Sequence, residues 1–221
     1  MTGALILFLA AAVLPVFFGR VQSAPSWLAV QALALGWIAL GFGFGQPGSP
    51  SWHALAAGAE LLIVRAVVVP RWLRSAIARR DEANRELMPS NLFAWGLAMA
   101  LLVLAFQFGA PEMSERHALT LGVVGATVAV ALLLLAANDA PPAQLVALLF
   151  LENAISLFET LLPNPWPLPV HLALSGIYLL TAGLGARLIG RADAACGSGA
   201  ASAPSGRSGA GGDEGLREAD S

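Results

Sequence analysis

The chain has 221 residues, of which 57% are hydrophobic and 12% are charged, with a formal net charge of −2. A soluble domain carries about 25% charged residues, so this composition excludes an ordinary soluble fold. The mean hydropathy of +0.71 is typical of a protein embedded in lipid. The apolar runs lack the two-residue alternation of a membrane barrel, and their Ala and Leu content favours helices. We therefore expect an all-α, multi-pass membrane helix bundle.

Seven apolar runs follow one another along residues 1–190. Each approaches the length of about 20 residues that a helix needs to cross a bilayer. They predict transmembrane helices at 3–19, 26–45, 53–73, 91–109, 117–137, 143–162 and 168–189. A cleaved signal peptide is the alternative for the first run. Because no basic segment precedes that run, and the cleavage-like site at 21–24 is weak, we interpret it as a retained helix.

The distribution of arginine predicts the orientation of the bundle, since the chain contains no lysine. With seven helices, only Arg116 falls on the side of the 46–52 and 163–167 loops. The opposite side collects the following arginines: Arg20, Arg71, Arg74, Arg79, Arg80, Arg85, Arg187, Arg191, Arg207 and Arg217. Cytoplasmic loops carry the excess of positive charge. The sequence therefore predicts that the N-terminus lies outside and the C-terminus lies in the cytoplasm.

Two segments differ from the apolar runs. Residues 191–221 are rich in Gly, Ser and Ala and cannot bury enough surface to offset the entropy of ordering, so we predict a disordered cytoplasmic tail. The tail contains Cys196, the sole cysteine, which we interpret as a free, inert thiol. Residues 71–90 mix arginines with Trp72 and Ile77, which indicates a helix leaving the membrane along the cytoplasmic surface. This segment either sets the topology or docks a cytoplasmic partner.

Four ionisable residues lie away from the ends of the predicted helices by depth, Glu60, Arg65, Glu152 and, nearer an interface, Glu159. Such residues are costly in lipid and usually face a bundle interior or a water path. At about 1.5 Å rise per residue, Arg65 lies roughly 18 Å and Glu152 roughly 15 Å below the outer surface. We therefore expect Arg65 and Glu152 to form a buried ion pair. Glu60 and Arg65 are five residues apart and point to different sides of an α-helix, so they are expected to be poor partners.

Glu152, Ser156 and Glu159 stand at i, i+4 and i+7, which places them on one helix face, and Asn153 flanks them. Glu152 is interpreted as a titrating carboxylate in a proton or ion path, the alternative being a structural hydrogen-bonding residue. Glu159 lies nearer the interface, which favours a solvated role, and for Glu60 both interpretations stay open. Arg65 would be the permanent counter-charge, because guanidinium does not deprotonate in proteins.

The sequence lacks the signatures of catalysis and of cofactor binding. No Cys or His cluster suits an iron–sulfur centre, and no pair of mid-span histidines suggests haem, since His53, His117 and His171 stand at helix ends. Nucleotide-binding and serine–histidine motifs are absent as well. We therefore predict no catalytic residue, no metal, no cofactor and no nucleic-acid partner.

Two stretches resemble component E of hydrogenase-4, a membrane subunit of formate hydrogenlyase-type complexes. One is AAGAELLIVRAVVVPRWLRSAIAR, residues 56–79, with an acid, a basic residue in an apolar run and then a proline. The family has lysine where Arg65 stands. The other is LVALLFLENAISLFE, residues 145–159, which is similar to the family's Leu-Glu-Asn-Gly segment with Ala154 in place of the glycine. The resemblance covers about residues 1–190.

The last three predicted helices also resemble subunit K of respiratory complex I and the C-type small membrane component of multisubunit cation/proton antiporters. Glu152 matches the glutamate of the Gly-Leu-Glu segment in subunit K. The second glutamate of that family has no counterpart, since its position falls at about Leu174. His171 lies one turn away, and Glu159 stands on the neighbouring helix. Either residue substitutes for the missing acid, or the relay is interrupted.

The resemblance implies an accessory subunit of an oxidoreductase complex in the cell inner membrane, with no active site of its own. It would contact antiporter-like membrane subunits, a hydrogenase or quinone-reductase module, and the lipid bilayer. Its contribution to proton or cation translocation would come from Glu152, Glu159, Glu60, Arg65, Asn153 and His171. The alternatives are a stand-alone small transporter or channel, for which we find no inverted repeat, and a structural scaffold subunit without a titrating role.

Overall fold

The fold is described from a computed structural model, in which the residues described are 2–44, 56, 58–78, 86–87, 92–107, 114–159, 162 and 168–201. Within these ranges the chain is helical and forms no strand beyond one isolated bridge between Arg20 and Glu86. The all-α prediction is confirmed for this part of the chain.

The helices fall at the seven predicted positions. In chain order they are α1 (Thr2–Phe18), a 3₁₀ turn (Val21–Ser23), α2 (Ala24–Phe44), a π-helical segment π1 (Leu61–Val68) that continues into α3 (Val69–Ile77), α4 (Leu92–Gln107), α5 (Glu115–Ala137), α6 (Pro141–Glu159) and α7 (Leu168–Ala201). The backbone of α7 thus runs on into the predicted tail. Residues 202–221, and most of the surface segment predicted after Ile77, lie outside the described residues.

Among the described residues, four helical stretches are long and apolar enough to cross a membrane: Val21–Gly41, Glu115–Ala137, Pro141–Glu159 and Pro169–Ile189. Helices α1 and α4 are apolar but shorter, with 17 and 16 residues. The chain is therefore a helical membrane protein by length and composition. The count of seven crossings and the orientation stay predictions.

Local sequence explains where two of the long helices begin. Ser114 caps α5 by accepting a hydrogen bond from the backbone N–H of His117, and Glu115 in the first turn complements the helix dipole. Helix α6 begins at Pro141, where the missing N–H of proline costs no helical hydrogen bond. Both helices then continue through Ala- and Leu-rich sequence without an internal proline or charge cluster.

Helix α2 lies at the centre of the bundle, in contact with α1, π1, α3 and α6, while α7 packs against α3 and α6. The buried apolar side chains form two clusters. The lower cluster includes Leu28, Val69, Leu73 and Phe150, and the upper cluster includes Phe8, Leu35, Leu61, Val123 and Leu157. Along three of the helical stretches, a residue of one cluster lies about two turns from a residue of the other. These pairs are Leu28 and Leu35 on α2, Leu61 and Val69 on π1 and α3, and Phe150 and Leu157 on α6. Any polar side chain between them is enclosed by apolar layers.

Three connections meet at one end of the bundle. The carbonyl oxygen of Gly19 accepts a hydrogen bond from the backbone N–H of Leu87 at 3.0 Å, and Asn138 Nδ2 donates to the carbonyl oxygen of Leu87 at 2.8 Å. The segments that follow α1, α3 and α5 therefore lie together. Helices that cross alternately would place these three segments on the same side of a membrane.

Cysteine labelling would test this arrangement. In a Cys196→Ser background, Gln22→Cys and Asp139→Cys should react with an impermeant maleimide from one side, and Glu115→Cys from the other, since all three positions are exposed. The arginine distribution further predicts that only Glu115→Cys reacts in intact cells. Labelling of Gln22→Cys and Asp139→Cys from opposite sides would contradict the fold. A reversed pattern with the same grouping would contradict the orientation alone.

Candidate functional site

A polar layer lies between the two apolar clusters. It is built from Gln31 of α2, Arg65 of π1 and Asn153 of α6, whose exposed fractions are 0%, 2% and 0%. Each of these residues stands between a lower-cluster and an upper-cluster residue of its own helix. Such burial separates these groups from bulk water, so they need partners within the protein or bound water.

Arg65 supplies the charge of the layer and makes four contacts. Its Nη1 donates to Ser156 Oγ at 2.8 Å and to Asn153 Oδ1 at 3.2 Å, and its Nε lies 3.4 Å from Glu60 Oε1. Its Cζ also lies 4.2 Å from the centroid of the Tyr178 ring. A guanidinium group has five N–H donors in a rigid plane, so one side chain can donate to several partners at once. The contacts join π1 to α6 and α7.

Asn153 extends the layer to α2. Its Oδ1 accepts from Arg65, and its Nδ2 donates to Gln31 Oε1 at 2.9 Å. Because the amide group uses its acceptor on one side and its donor on the other, a single side chain connects π1 with the central helix. Asn153 is therefore a member of the buried network, not only a residue that flanks Glu152.

The predicted pair of Arg65 and Glu152 is wrong. No ion pair joins these two residues, both of which belong to the described part of the chain, and Glu152 Oε1 instead accepts from Thr181 Oγ1 of α7 at 3.2 Å. The prediction compared depth alone. Consecutive residues of an α-helix are rotated by about 100°, so Asn153 points toward Arg65 while Glu152 points toward α7.

The expectation that Glu60 and Arg65 are poor partners is also wrong. In an α-helix, residues five apart are separated by about 140° around the axis. Here Glu60 immediately precedes π1, whose hydrogen bonds join residues five apart and bring them nearly in line. The π-helical segment thus places the carboxylate of Glu60 beside the guanidinium of Arg65, as their separation of 3.4 Å shows.

The remaining predicted residues form a second group toward the ends of α6 and α7. His171 Nδ1 lies 3.3 Å from Glu159 Oε2, and both side chains are largely buried. The two candidates for replacing an acid near Leu174 therefore contact each other. Of the other histidines, His117 is exposed at the start of α5, and His53 lies outside the described residues.

The predicted polar face of α6 is directed at other helices. Glu152 contacts Thr181, Ser156 contacts Arg65, and Glu159 contacts His171. The carboxylate of Glu152 also lies within electrostatic range of Arg65. Five of the six residues predicted for an ion path therefore make contacts between helices, whereas Glu60 contacts Arg65 of its own helix.

Four residues of this region were not predicted: Gln31, Ser175, Tyr178 and Thr181. Each is uncharged, whereas the prediction started from ionisable groups within the spans. A signal was present for Gln31, an isolated amide within the apolar run WLAVQALALGW, and for Tyr178, the single tyrosine of the chain. A buried polar group needs a partner, so an isolated one in an apolar helix indicates an internal contact.

The described residues contain no group of three or more His, Cys, Asp or Glu that could hold a metal ion. Arg65 stays charged at any physiological pH, so proton exchange would fall to Glu60, Glu152, Glu159 and His171. Comparison of the chain with protein-family models, curated proteins and solved structures gives no match. The resemblance to component E of hydrogenase-4 therefore stays a prediction.

Removal of Arg65 should destabilise the protein strongly. Arg65→Ala leaves the Glu60 carboxylate and Asn153 Oδ1 without their donor, and breaking a buried ion pair in this way costs roughly 3–5 kcal/mol. Arg65→Lys should cost less but remain destabilising, because one ammonium cannot reproduce the planar fork. Unfolding in mixed micelles would measure both changes.

A double-mutant cycle would separate the two candidate partners. The coupling free energy between Arg65→Ala and Glu60→Gln should exceed that between Arg65→Ala and Glu152→Gln, because only Glu60 contacts Arg65. Residues in contact couple by about 0.5–3 kcal/mol. Glu115→Gln, an exposed carboxylate at the start of α5, is the matched control and should add independently. A larger coupling with Glu152 would restore the pair predicted from depth.

Proposed function

We propose that this protein is a non-catalytic membrane subunit of an energy-converting hydrogenase or complex I-like respiratory complex in the inner membrane. It would contribute buried charged residues to proton or cation translocation coupled to electron transfer. The observation that carries the proposal is a series of titratable residues along the same helices: Glu60 beside the Arg65 guanidinium, Glu152 against α7, and the contacting pair of Glu159 and His171.

The arrangement supports coupling by electrostatics. Arg65 provides a charge that does not change, Glu60 contacts it, and Glu152 lies within its field without direct contact. Charges in a poorly polarisable interior interact more strongly than in water. A proton gained or lost at one carboxylate would therefore alter the free energy of protonation at its neighbours.

The partners follow from the resemblance and from the surface of the helices. Large apolar side chains are exposed along α4 and α7, among them Leu92, Phe93, Leu172, Leu180 and Leu188. In a membrane such faces are covered by lipid acyl chains or by other helices. We propose that antiporter-like subunits and a hydrogenase or quinone-reductase module complete the assembly.

Purification from native membranes in mild detergent would test the assembly. Antiporter-like subunits together with hydrogenase or quinone-reductase subunits should co-purify with a tagged full-length chain. Recovery of a monodisperse protein without such subunits would contradict the proposal and favour a stand-alone transporter.

The substitution Glu152→Gln should abolish ion translocation while the complex still assembles. Glutamine keeps the size of the side chain and can still accept from Thr181, but it cannot ionise. Glu152→Asp should keep partial activity. Ion pumping by the complex in reconstituted vesicles, with the composition of the complex checked in parallel, is the measurement.

Two further variants sharpen that experiment. Glu159→Gln should reduce translocation less than Glu152→Gln, because Glu159 lies nearer the helix end and its partner His171 can also exchange a proton. Glu115→Gln, at an exposed position, should leave translocation unchanged. A Glu152→Gln complex that pumps at the full rate would show instead that the residue is structural. The scaffold function, favoured by the joining of π1, α6 and α7 through Arg65, would then hold.

A further inference from the structure

Several buried side-chain atoms near the polar layer have no hydrogen-bond partner among the described residues. They are Gln31 Nε2, Glu60 Oε2, Glu152 Oε2, His171 Nε2, Ser175 Oγ and Tyr178 OH. Most buried polar atoms in native proteins are paired with protein or with water. They belong to α2, α6, α7 and the residue that precedes π1. A common kind of partner, such as bound water, can account for them better than six separate defects.

Three of these atoms belong to one face of α7. His171, Ser175 and Tyr178 stand at i, i+4 and i+7, which aligns them along about 10 Å of the helix axis. Ser175 and Tyr178 are 7% and 0% exposed, whereas Leu172, Ile177 and Leu180 on the opposite face are largely exposed. The polar stripe of α7, defined as His171, Ser175 and Tyr178, therefore points into the bundle.

The two ends of this stripe meet the two groups of titratable residues. His171 contacts Glu159 at one end. At the other end the Tyr178 ring covers Arg65, which contacts Glu60, and Thr181 beyond Tyr178 donates to Glu152. Ser175 lies between them. The stripe is thus the polar surface that connects the Glu159–His171 pair with Glu152 and Glu60.

We propose that water molecules are bound between the polar stripe of α7 and the facing residues of α6 and π1. Buried water typically makes about three hydrogen bonds to polar groups, as donor and as acceptor. The atoms present match this requirement, since two carboxylate oxygens accept, two hydroxyl groups donate or accept, and the imidazole nitrogen does either. Ser175 and Tyr178 hold this water, and neither carries a charge.

If the proposed function holds, this water extends the proton path. A proton released by the Glu159–His171 pair would pass to the first water, each water would accept one proton and release one, and the last would protonate the Glu152 carboxylate. Ser175 and Tyr178 would end each transfer in their starting state. The transfer rests on the proposed function, whereas the binding of water does not.

Radiolytic hydroxyl-radical labelling of the full-length protein in nanodiscs, read by mass spectrometry, tests the binding of water. Radicals form at bound water, so Tyr178 should be labelled several-fold faster than Phe150 and Phe8, which are equally buried aromatic residues without a polar side-chain atom. Rates are normalised to those of the same residues in the denatured protein. A Tyr178 rate no greater than that of Phe150 would overturn the proposal, and no variant is needed for this comparison.

A pair of variants tests whether the bound water lies beside Ser175. Ser175→Val replaces a hydroxyl that can bind water with methyl groups that cannot, so the labelling of Tyr178 should fall by at least about half. Thr127→Val is the matched control, because it also deletes a buried hydroxyl, but one that already donates to the Val123 carbonyl oxygen at 2.8 Å. An unchanged rate in folded Ser175→Val would show that the water does not pass Ser175.

The outcomes separate this inference from the proposed function. Rapid labelling of Tyr178 together with a fully pumping Glu152→Gln complex would leave the water in place and remove the translocation role. Slow labelling of Tyr178 together with loss of pumping in Glu152→Gln would remove the bound water and support the translocation role.

Discussion

The burial of one permanent positive charge, at Arg65, is the constraint on which the rest of this structure depends. A guanidinium that is 2% exposed cannot lose its proton and cannot reach bulk water, so its compensation comes from neighbouring side chains. Those partners lie on π1, α6 and α7, and Asn153 carries the network on to α2. The lateral positions of four helical elements are therefore tied to the geometry of a single planar group.

The π-helical segment meets this constraint from within one helix. Long π-helical runs are rare, and π-bulges occur frequently at functional sites. In this chain the segment brings Glu60 beside Arg65 Nε, which an α-helix would not do. Asn153 and Ser156 of α6 accept from Arg65 Nη1. The ion pair of Glu60 and Arg65 forms within one continuous helical stretch, so it needs no second helix. Glu152 is therefore not the counter-ion of Arg65, and its Oε2 has no hydrogen-bond partner among the described residues.

The sequence allowed the helices to be predicted but not the direction in which their side chains point. Apolar runs identify helices because length and hydrophobicity act along one dimension. The observed helices overlap the predicted spans, although α7 continues past its predicted end to Ala201. Which residues contact each other depends on the direction of each side chain around the helix axis, and this direction differs by about 100° between Glu152 and Asn153. The local change from α to π at Leu61 also has no clear signal in the sequence. Uncharged members such as Gln31 and Tyr178 escape notice when the search starts from ionisable residues.

Arginine at position 65 also decides where proton exchange can occur under the proposed function. A lysine, which the resembling family has here, can release its proton when buried, and so could belong to the relay itself. Arginine cannot, and it fixes the potential around Glu60 and Glu152 at all relevant pH values. Exchange must then pass along the carboxylates, His171 and the polar stripe of α7. The absence of an acid at Leu174 is consistent with this distribution, because His171 and Glu159 already form a contacting pair one turn away.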